Sequence, residues 1–409
     1  MHVLFVHRNF PAQFGHVAAR LVKQLGWRCS FVSEKPPQTV AGVQNLQYRV
    51  EGGATERTHY FSRTFENAVW HAASIYEALR PFRDELRPDL IVGHSGFGST
   101  LYLGELFPDA PVIGYFEFFY HAHGSDLDFR PDMPPSERDV LRTRSRNAMI
   151  LLDLEYCDAG YSPTEYQAGL LPEAYRPKVE VIHDGIDTSF WRRDADPERV
   201  VGERPLERGE RLVTYVSRGL EAMRGFDIFM RVAKRVCEER SDVRFAVVGR
   251  EEIAYGGDLA HTGGTSFKEH VLAQDDYDLS RFDFLGNIPP SELRRLFSLS
   301  DCHVYLTAPF VLSWSLLDAM ACGCAVVGSD TAPVREVLAD GENGLLSGFF
   351  DVQGLAERVL GVLEDPDEHR RGIGAEAART VAERYALDVT FPRLANFFGQ
   401  TAASSRKNG

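Results

Sequence analysis

Residues 301–346, DCHVYLTAPFVLSWSLLDAMACGCAVVGSDTAPVREVLADGENGLL, read as strand, loop, helix, strand, loop and turn. His303–Thr307 carries β-branched and aromatic residues in the alternation of a strand, and Ala308–Ser313 is a short connection. Ser315 and Asp318 have the spacing of a capping box, so the helix is expected to open at Ser315. Gly323 has no Cβ and ends that helix in a left-handed turn. The apolar run Ala325–Gly328 is a buried strand closing at Ser329–Asp330. A helix that follows a parallel strand turns free N–H groups and its positive dipole end toward the sheet edge. A phosphate is favoured there.

The rest of the chain repeats the strand–helix alternation. Val3–Val6, Arg28–Val32, Asp89–Val92, Pro111–Phe116, Ala159–Ser162 and Val179–Ile182 read as strands. Between them lie a helix ending at Leu25, closed by Gly26, helices over Thr64–Leu86 and Leu101–Phe107, and a long helix over Ser136–Tyr156. The stretch from Trp191 to Glu210 is rich in Pro, Gly and charge and is taken as the linker. Leu212–Ser217, a helix to Glu239 and Val243–Val248 open a second α/β unit. Residues 251–280 have weak periodicity and are assigned as an irregular insertion, followed by Phe282–Leu285 and a helix over Ser291–Leu299. Two helices fill roughly 352–384, and TAASSRKNG is expected to be a frayed tail. Such alternation predicts doubly wound parallel sheets in an α/β protein.

Composition bounds the function. A chain of 409 residues exceeds one ordinary core, and 44% hydrophobic residues without an apolar run of about 18–20 exclude a membrane-spanning helix. The start, MHVLFVHRNF, reads as a first strand and not as a signal peptide. Six scattered cysteines fit free thiols, which points to the cytoplasm, and no His/Cys cluster has zinc spacing. The net charge of −14 opposes non-specific binding to nucleic acid.

The 301–346 stretch resembles the donor-binding motif of the retaining glycosyltransferases called family four, which have two Rossmann-like lobes facing each other across a cleft (GT-B). The family pattern has two glutamates separated by seven residues, then Ala-Met-Ala-x-Gly. Here the second falls on Asp318, followed by Ala319, Met320, Ala321 and Gly323, while the first falls on Phe310, which carries no acid. VEVIHDGIDTSFW (179–191), SRGLEAMRG (217–225) and DGENGLL (340–346) extend the resemblance in order and spacing. It implies a first lobe of residues 1–195, a second of 196–384, and a final helix from about Tyr385 that returns to the first lobe.

The resemblance also implies site residues. Arg218 and Arg224, at the ends of a strand and before a helix, would clamp the diphosphate of a nucleotide sugar and stabilise the leaving group. Asp318 would hold the ribose; read from local spacing alone it is a helix cap. Glu336 would contact the donor, hold the loop or start a helix. At the sugar that Phe310 cannot bind, the backbone of Val311, Leu312 and Ser313 would take over, or the sugar would be less hydroxylated there, or turned. Phe14, Gly15 and His16 match a phosphate- or acceptor-facing loop, or a plain helix entry. His94 would reach the donor sugar, or be structural. His121 and His123, beside Glu117 and Asp126, would meet acceptor, metal or nothing. No cofactor and no metal are expected; the partners would be a nucleotide-sugar donor and an acceptor that is a glycan, a lipid-linked or a small molecule.

Two other classes share parts of this pattern. Nucleotide-sugar epimerases have the same architecture and need no acceptor. Two-lobed binding proteins need no arginine clamp. A dinucleotide oxidoreductase is disfavoured because no G-x-G-x-x-G follows the first strand.

Overall fold

The computed structural model describes residues 1–36 and 40–405. The chain forms two compact units. One comprises residues 1–128, 134–185 and the chain from Asp388 onward, and the other comprises Phe129–Met133 and Ile186–Leu387.

The first unit holds seven parallel strands: β1 (His2–Val6), β2 (Arg28–Ser33), β3 (Val43–Gln47), β4 (Leu90–His94), β5 (Val112–Tyr115), β6 (Ala159–Ser162) and β7 (Val179–Val181). Their order is β3-β2-β1-β4-β5-β6-β7. β1 pairs with β2 on one side and β4 on the other, from Val6↔Val32 to Val6↔Gly93. The strand order therefore reverses between β1 and β4, which opens a crevice at their carboxyl ends. β3 escaped the sequence reading because only Val43 and Leu46 among its five residues are aliphatic and no position is buried.

Helices cover both faces. On one face, Phe5, Phe14, Phe31 and Tyr161 pack with Phe391, Leu394, Phe397, Phe398 and Ala402 of the last helix, Leu387–Ser405. This places the terminal helix in the first unit. Residues 401–405, expected to fray, are part of it, because Ala402 is buried in that core; residues 406–409 of the expected tail lie outside the described residues.

Two long helices of the sequence reading are broken. Thr64–Leu86 becomes Arg63–Leu79, a tight turn at Arg80–Phe82 and a single turn to Leu86; Pro81 cannot donate into a continuing ladder. Ser136–Tyr156 becomes Glu137–Arg146 and Ala148–Tyr156. The break is at Asn147, whose amide side chain bonds the backbone N–H and C=O of Tyr120 at 3.0 and 2.8 Å.

The second unit begins with the hairpin β8 (Val200–Val201) and β9 (Arg204–Pro205), where a linker was expected. Arg244 holds it, donating to the carbonyls of Pro205 and Val201 at 2.7 and 3.1 Å. Six parallel strands follow: β10 (Arg211–Gly219), β11 (Val243–Arg250), β12 (Phe282–Gly286), β13 (Cys302–Tyr305), β14 (Val326–Ser329) and β15 (Leu345–Ser347). Their order, β12-β11-β10-β13-β14-β15, reverses between β10 and β13. The stretch 251–280 is less irregular than its composition: Phe267–Ala273 is a helix with a Ser266/Glu269 capping box, and Phe267 and Val271 are buried. Among the described residues, no helix is long and apolar enough to cross a membrane.

Candidate active site

In the second unit the two arginines singled out above sit at the β10/β13 reversal. Arg218 lies near the end of β10 and is exposed, whereas Arg224 ends a tight turn, Ala222–Arg224, and is buried. Arg224 Nη1 donates to Thr307 Oγ1 at 2.7 Å and to the Val311 carbonyl at 3.0 Å, and the Tyr215 hydroxyl donates to its carbonyl at 2.8 Å. The turn is thus tied to β10 itself and to the loop after β13. Arg218 Nη1 donates to the hydroxyl of Tyr255 at 3.3 Å. Both guanidiniums also face the Tyr255 ring, at 5.7 and 5.4 Å from its centroid, and Arg224 lies 5.9 Å from the Phe310 centroid. Tyr255 was invisible to sequence reading, since its neighbourhood has no periodicity.

The helix on the β13 side differs at its start from the expectation. It spans Trp314–Ala321, and the cap is Ser313, whose Oγ accepts from the Ser315 amide. The Ser315–Asp318 capping box does not form, because Asp318 falls in the second turn, beyond reach of the free amides. Its side chain is buried, and burial alone pushes its carboxyl well above the usual range. Of the 311–313 backbone, the Val311 carbonyl is engaged by Arg224, and the Ser313 amide donates to the Tyr305 hydroxyl at 2.8 Å. Leu312 turns its side chain into the core with Leu316 and Leu317. Phe310 is buried, its ring 5.3 Å from that of Tyr255. Glu336 follows the one-turn helix Ala332–Arg335 and is half-buried near Tyr385.

In the first unit the β1/β4 reversal gathers a second cluster. His94 ends β4 and is buried, with Nδ1 2.8 Å from the Ser95 carbonyl and Nε2 3.4 Å from Glu117 Oε2. The other Glu117 oxygen accepts from Gln13 Nε2 at 3.2 Å. Burial is the largest single influence and works to raise the Glu117 carboxyl, but the hydrogen bond and charge of His94, with His7 and Gln13, together hold it below its usual range. His7, just past β1, meets His94 edge-on at 5.0 Å, and burial, then His94, push its imidazole down to about 3. The Ser95–Thr100 loop is held by Asp153, which accepts from the Gly96 amide at 2.8 Å, Ser95 Oγ at 3.0 Å and Thr100 Oγ1 at 3.3 Å. Burial lifts that carboxyl to about 6 in spite of the three donors. His7 and Asp153 were missed: each sits in an unremarkable apolar segment, and only the sheet order brings them here.

The remaining candidates are elsewhere in the first unit. Phe14 points into the core against Phe5 and Tyr115, at 5.5 and 5.8 Å between centroids. Gly15 is the first helical residue with φ of −62°, and a Cβ there would lie 2.3 Å from Pro11 Cβ, so its glycine lets the loop fold onto Pro11. His16 Nε2 is 2.8 Å from the Asp184 carbonyl. His121 and His123 do not join His94; they line a groove of about 490 Å³ with Leu170, Glu173 and Arg176. His121 Nε2 is 2.8 Å from the Leu170 carbonyl, and His123 Nδ1 is 3.5 Å from Asp128.

Residues 25–191 match the model of the Glycosyl transferase family 4 group, and residues 199–380 match that of the Glycosyl transferases group 1. The phosphatidyl-myo-inositol mannosyltransferase of Mycolicibacterium smegmatis is 29% identical over 240 residues, 58% of this chain and 55% of that protein. The chain spans about half the length of the curated relatives it matches. Among solved structures, sucrose-phosphate synthase from Thermosynechococcus elongatus superposes with a TM-score of 0.73 at 16% identity, over 98% of this chain and 99% of that one. HepE of Anabaena, solved in complex with UDP-glucose, gives 0.70 at 13% identity, over 98% and 100%. The fold is that of these GT-B enzymes, and the chain belongs to the family-four glycosyltransferases.

Proposed function

We propose that this protein moves a sugar from a nucleotide-diphosphate sugar to an acceptor hydroxyl, with retention at the anomeric carbon. The observation that carries the reading is the convergence of Arg218 and Arg224 at the β10/β13 reversal, beside the start of the helix Trp314–Ala321. Two guanidiniums and a helix N-terminus are suited to a diphosphate that gains charge as it leaves. Arg224 is held by Thr307 and Val311 and spends no reorganisation on that task. Asp318 accepts from the ribose hydroxyls, and Glu336 supports the donor side.

In the transfer, the acceptor oxygen forms the bond to the anomeric carbon on the face from which the diphosphate departs. The electron pair of the broken carbon–oxygen bond goes to the diphosphate, and the acceptor proton goes to a leaving phosphate oxygen. The arginines stabilise the leaving charge without a metal or a cofactor. On the first unit, His94 with Glu117 offers an imidazole–carboxylate pair to sugar hydroxyls, and the groove at His121 and His123 is a candidate acceptor contact.

The test is a stability screen with UDP, GDP and ADP and their hexose conjugates, since a native-state ligand raises stability with its concentration. Stabilisation by one diphosphate series is expected, with acceptor-dependent nucleotide release unchanged by EDTA. Product analysis by NMR should show the donor's anomeric configuration. Release that needs no acceptor, or an inverted product, overturns the reading.

A further inference from the structure

The loop 252–258 is built onto the arginine corner. A Cβ on Gly219 would lie 2.3 Å from the Glu252 carbonyl oxygen, so glycine at the end of β10 is what admits the loop. Glu221, fully buried, accepts through one carboxylate oxygen from the amides of Tyr255 and Gly256 at 3.0 and 3.1 Å. Asp258, also buried, accepts from the Ala222 amide at 2.7 Å. Three independent contacts therefore fix the backbone on either side of Tyr255, while its side chain stays 41% exposed. A loop held this firmly, with a large aromatic left in solvent, is placed for that aromatic.

What Tyr255 faces gives its chemistry. Its oxygen accepts from Arg218, and its ring lies against both guanidiniums and against Phe310. Among the described residues its hydroxyl donates to none, so the proton is left for an anion on the same arginine. We propose that Tyr255 is a donor-binding residue: its hydroxyl donates to the diphosphate that Arg218 and Arg224 hold. Its ring, with Phe310, walls the side where no carboxylate stands. The proposal rests on the nucleotide-sugar reading above and adds to it a ligand contact from outside the 301–346 stretch.

The experiment measures binding of UDP, GDP and ADP by calorimetry to wild type, Tyr255→Phe and Tyr255→Ala, with the matching nucleosides as controls. For the diphosphate that wild type binds, Tyr255→Phe should weaken binding about tenfold, the scale of a hydrogen bond to a charged group, and Tyr255→Ala further. Nucleoside binding should be unmoved by Tyr255→Phe. Glu221→Gln, which leaves Tyr255 in place but weakens its anchor, should give a smaller loss. Because the ring is exposed, melting temperatures should stay near wild type, and circular dichroism checks folding. Wild-type affinity in both Tyr255 variants overturns the proposal and leaves the nucleotide-sugar reading standing. If wild type binds none of the three diphosphates, that reading falls and this one with it.

Discussion

Arg130 meets Asp227 with two hydrogen bonds, Nη1 to Oδ1 at 2.9 Å and Nη2 to Oδ2 at 2.7 Å. The same guanidinium donates to the Ala222 carbonyl at 2.9 Å and lies over Phe349 and Phe350. Arg130 comes from the short segment Phe129–Met133, far upstream in sequence, yet it belongs to the second unit. It fastens the turn Ala222–Arg224 to the first turn of the helix Phe226–Glu239. Asp132 also bonds this guanidinium, accepting from Nε at 3.1 Å and Nη2 at 2.7 Å, so removing Asp227 leaves the charge partly paired. Asp227→Ala is therefore expected to cost about 1.5–3 kcal/mol in stability, the scale of hydrogen bonds to a charged group, read from chemical denaturation. A cost under about 1 kcal/mol would mean that the fork is not formed in solution.

Arg218→Ala and Arg224→Ala should each lower kcat/KM about a hundredfold or more, the effect of losing one preorganised stabiliser of developing charge. The two differ in a second readout. Arg218 is exposed and its removal should leave the melting temperature nearly unchanged, whereas Arg224 is buried and bonded to Thr307 and Val311, so its loss should lower it. Near-wild-type kcat/KM in both variants would remove the clamp from the mechanism.

Asp318 makes opposite predictions for stability and binding. Burial raises its folded-state pKa above the unfolded value, so the native state holds the proton more tightly. Its contribution to stability is thus greatest at low pH and declines as pH rises from the ordinary carboxylate value toward the raised one. Asp318→Asn cannot ionise and should be more stable than wild type at neutral pH, with a flatter pH profile. The same variant should bind nucleoside diphosphate more weakly by about 1–2 kcal/mol. Equal stability at pH 5 and 8 in both proteins, together with unchanged affinity, would contradict both roles.

Phe310 replaces the carboxylate that the family pattern sets in this loop, and its ring packs beside Tyr255 and Arg224. A sugar hydroxyl facing it lacks an acceptor worth about 1–3 kcal/mol. The Val311 carbonyl and Ser313 amide are already engaged, which favours a donor with fewer hydroxyls on that side. Phe310→Glu should shift preference in a donor panel toward fully hydroxylated hexoses. Identical preference and rate in wild type and variant would place residue 310 away from the donor.

The sequence by itself determined the parallel α/β architecture and most of its strand and helix segments, because alternating buried runs and amphipathic helices admit few other packings. It also marked Arg218, Arg224 and Asp318, since these lie where strands end and helices begin in a recognisable spacing. Tertiary structure decided the rest. Arg130, Tyr255, His7 and Asp153 acquire their roles from partners such as Asp227, Arg218, His94 and the Ser95–Thr100 loop, all distant in sequence. The cap of the helix Trp314–Ala321 lies at Ser313, two residues before the expected Ser315, which leaves Asp318 a buried carboxyl in the second turn. Local pattern encodes which face a residue presents; which charge or ring waits on that face depends on strand order and loop docking, and these are set by the packing of the whole unit.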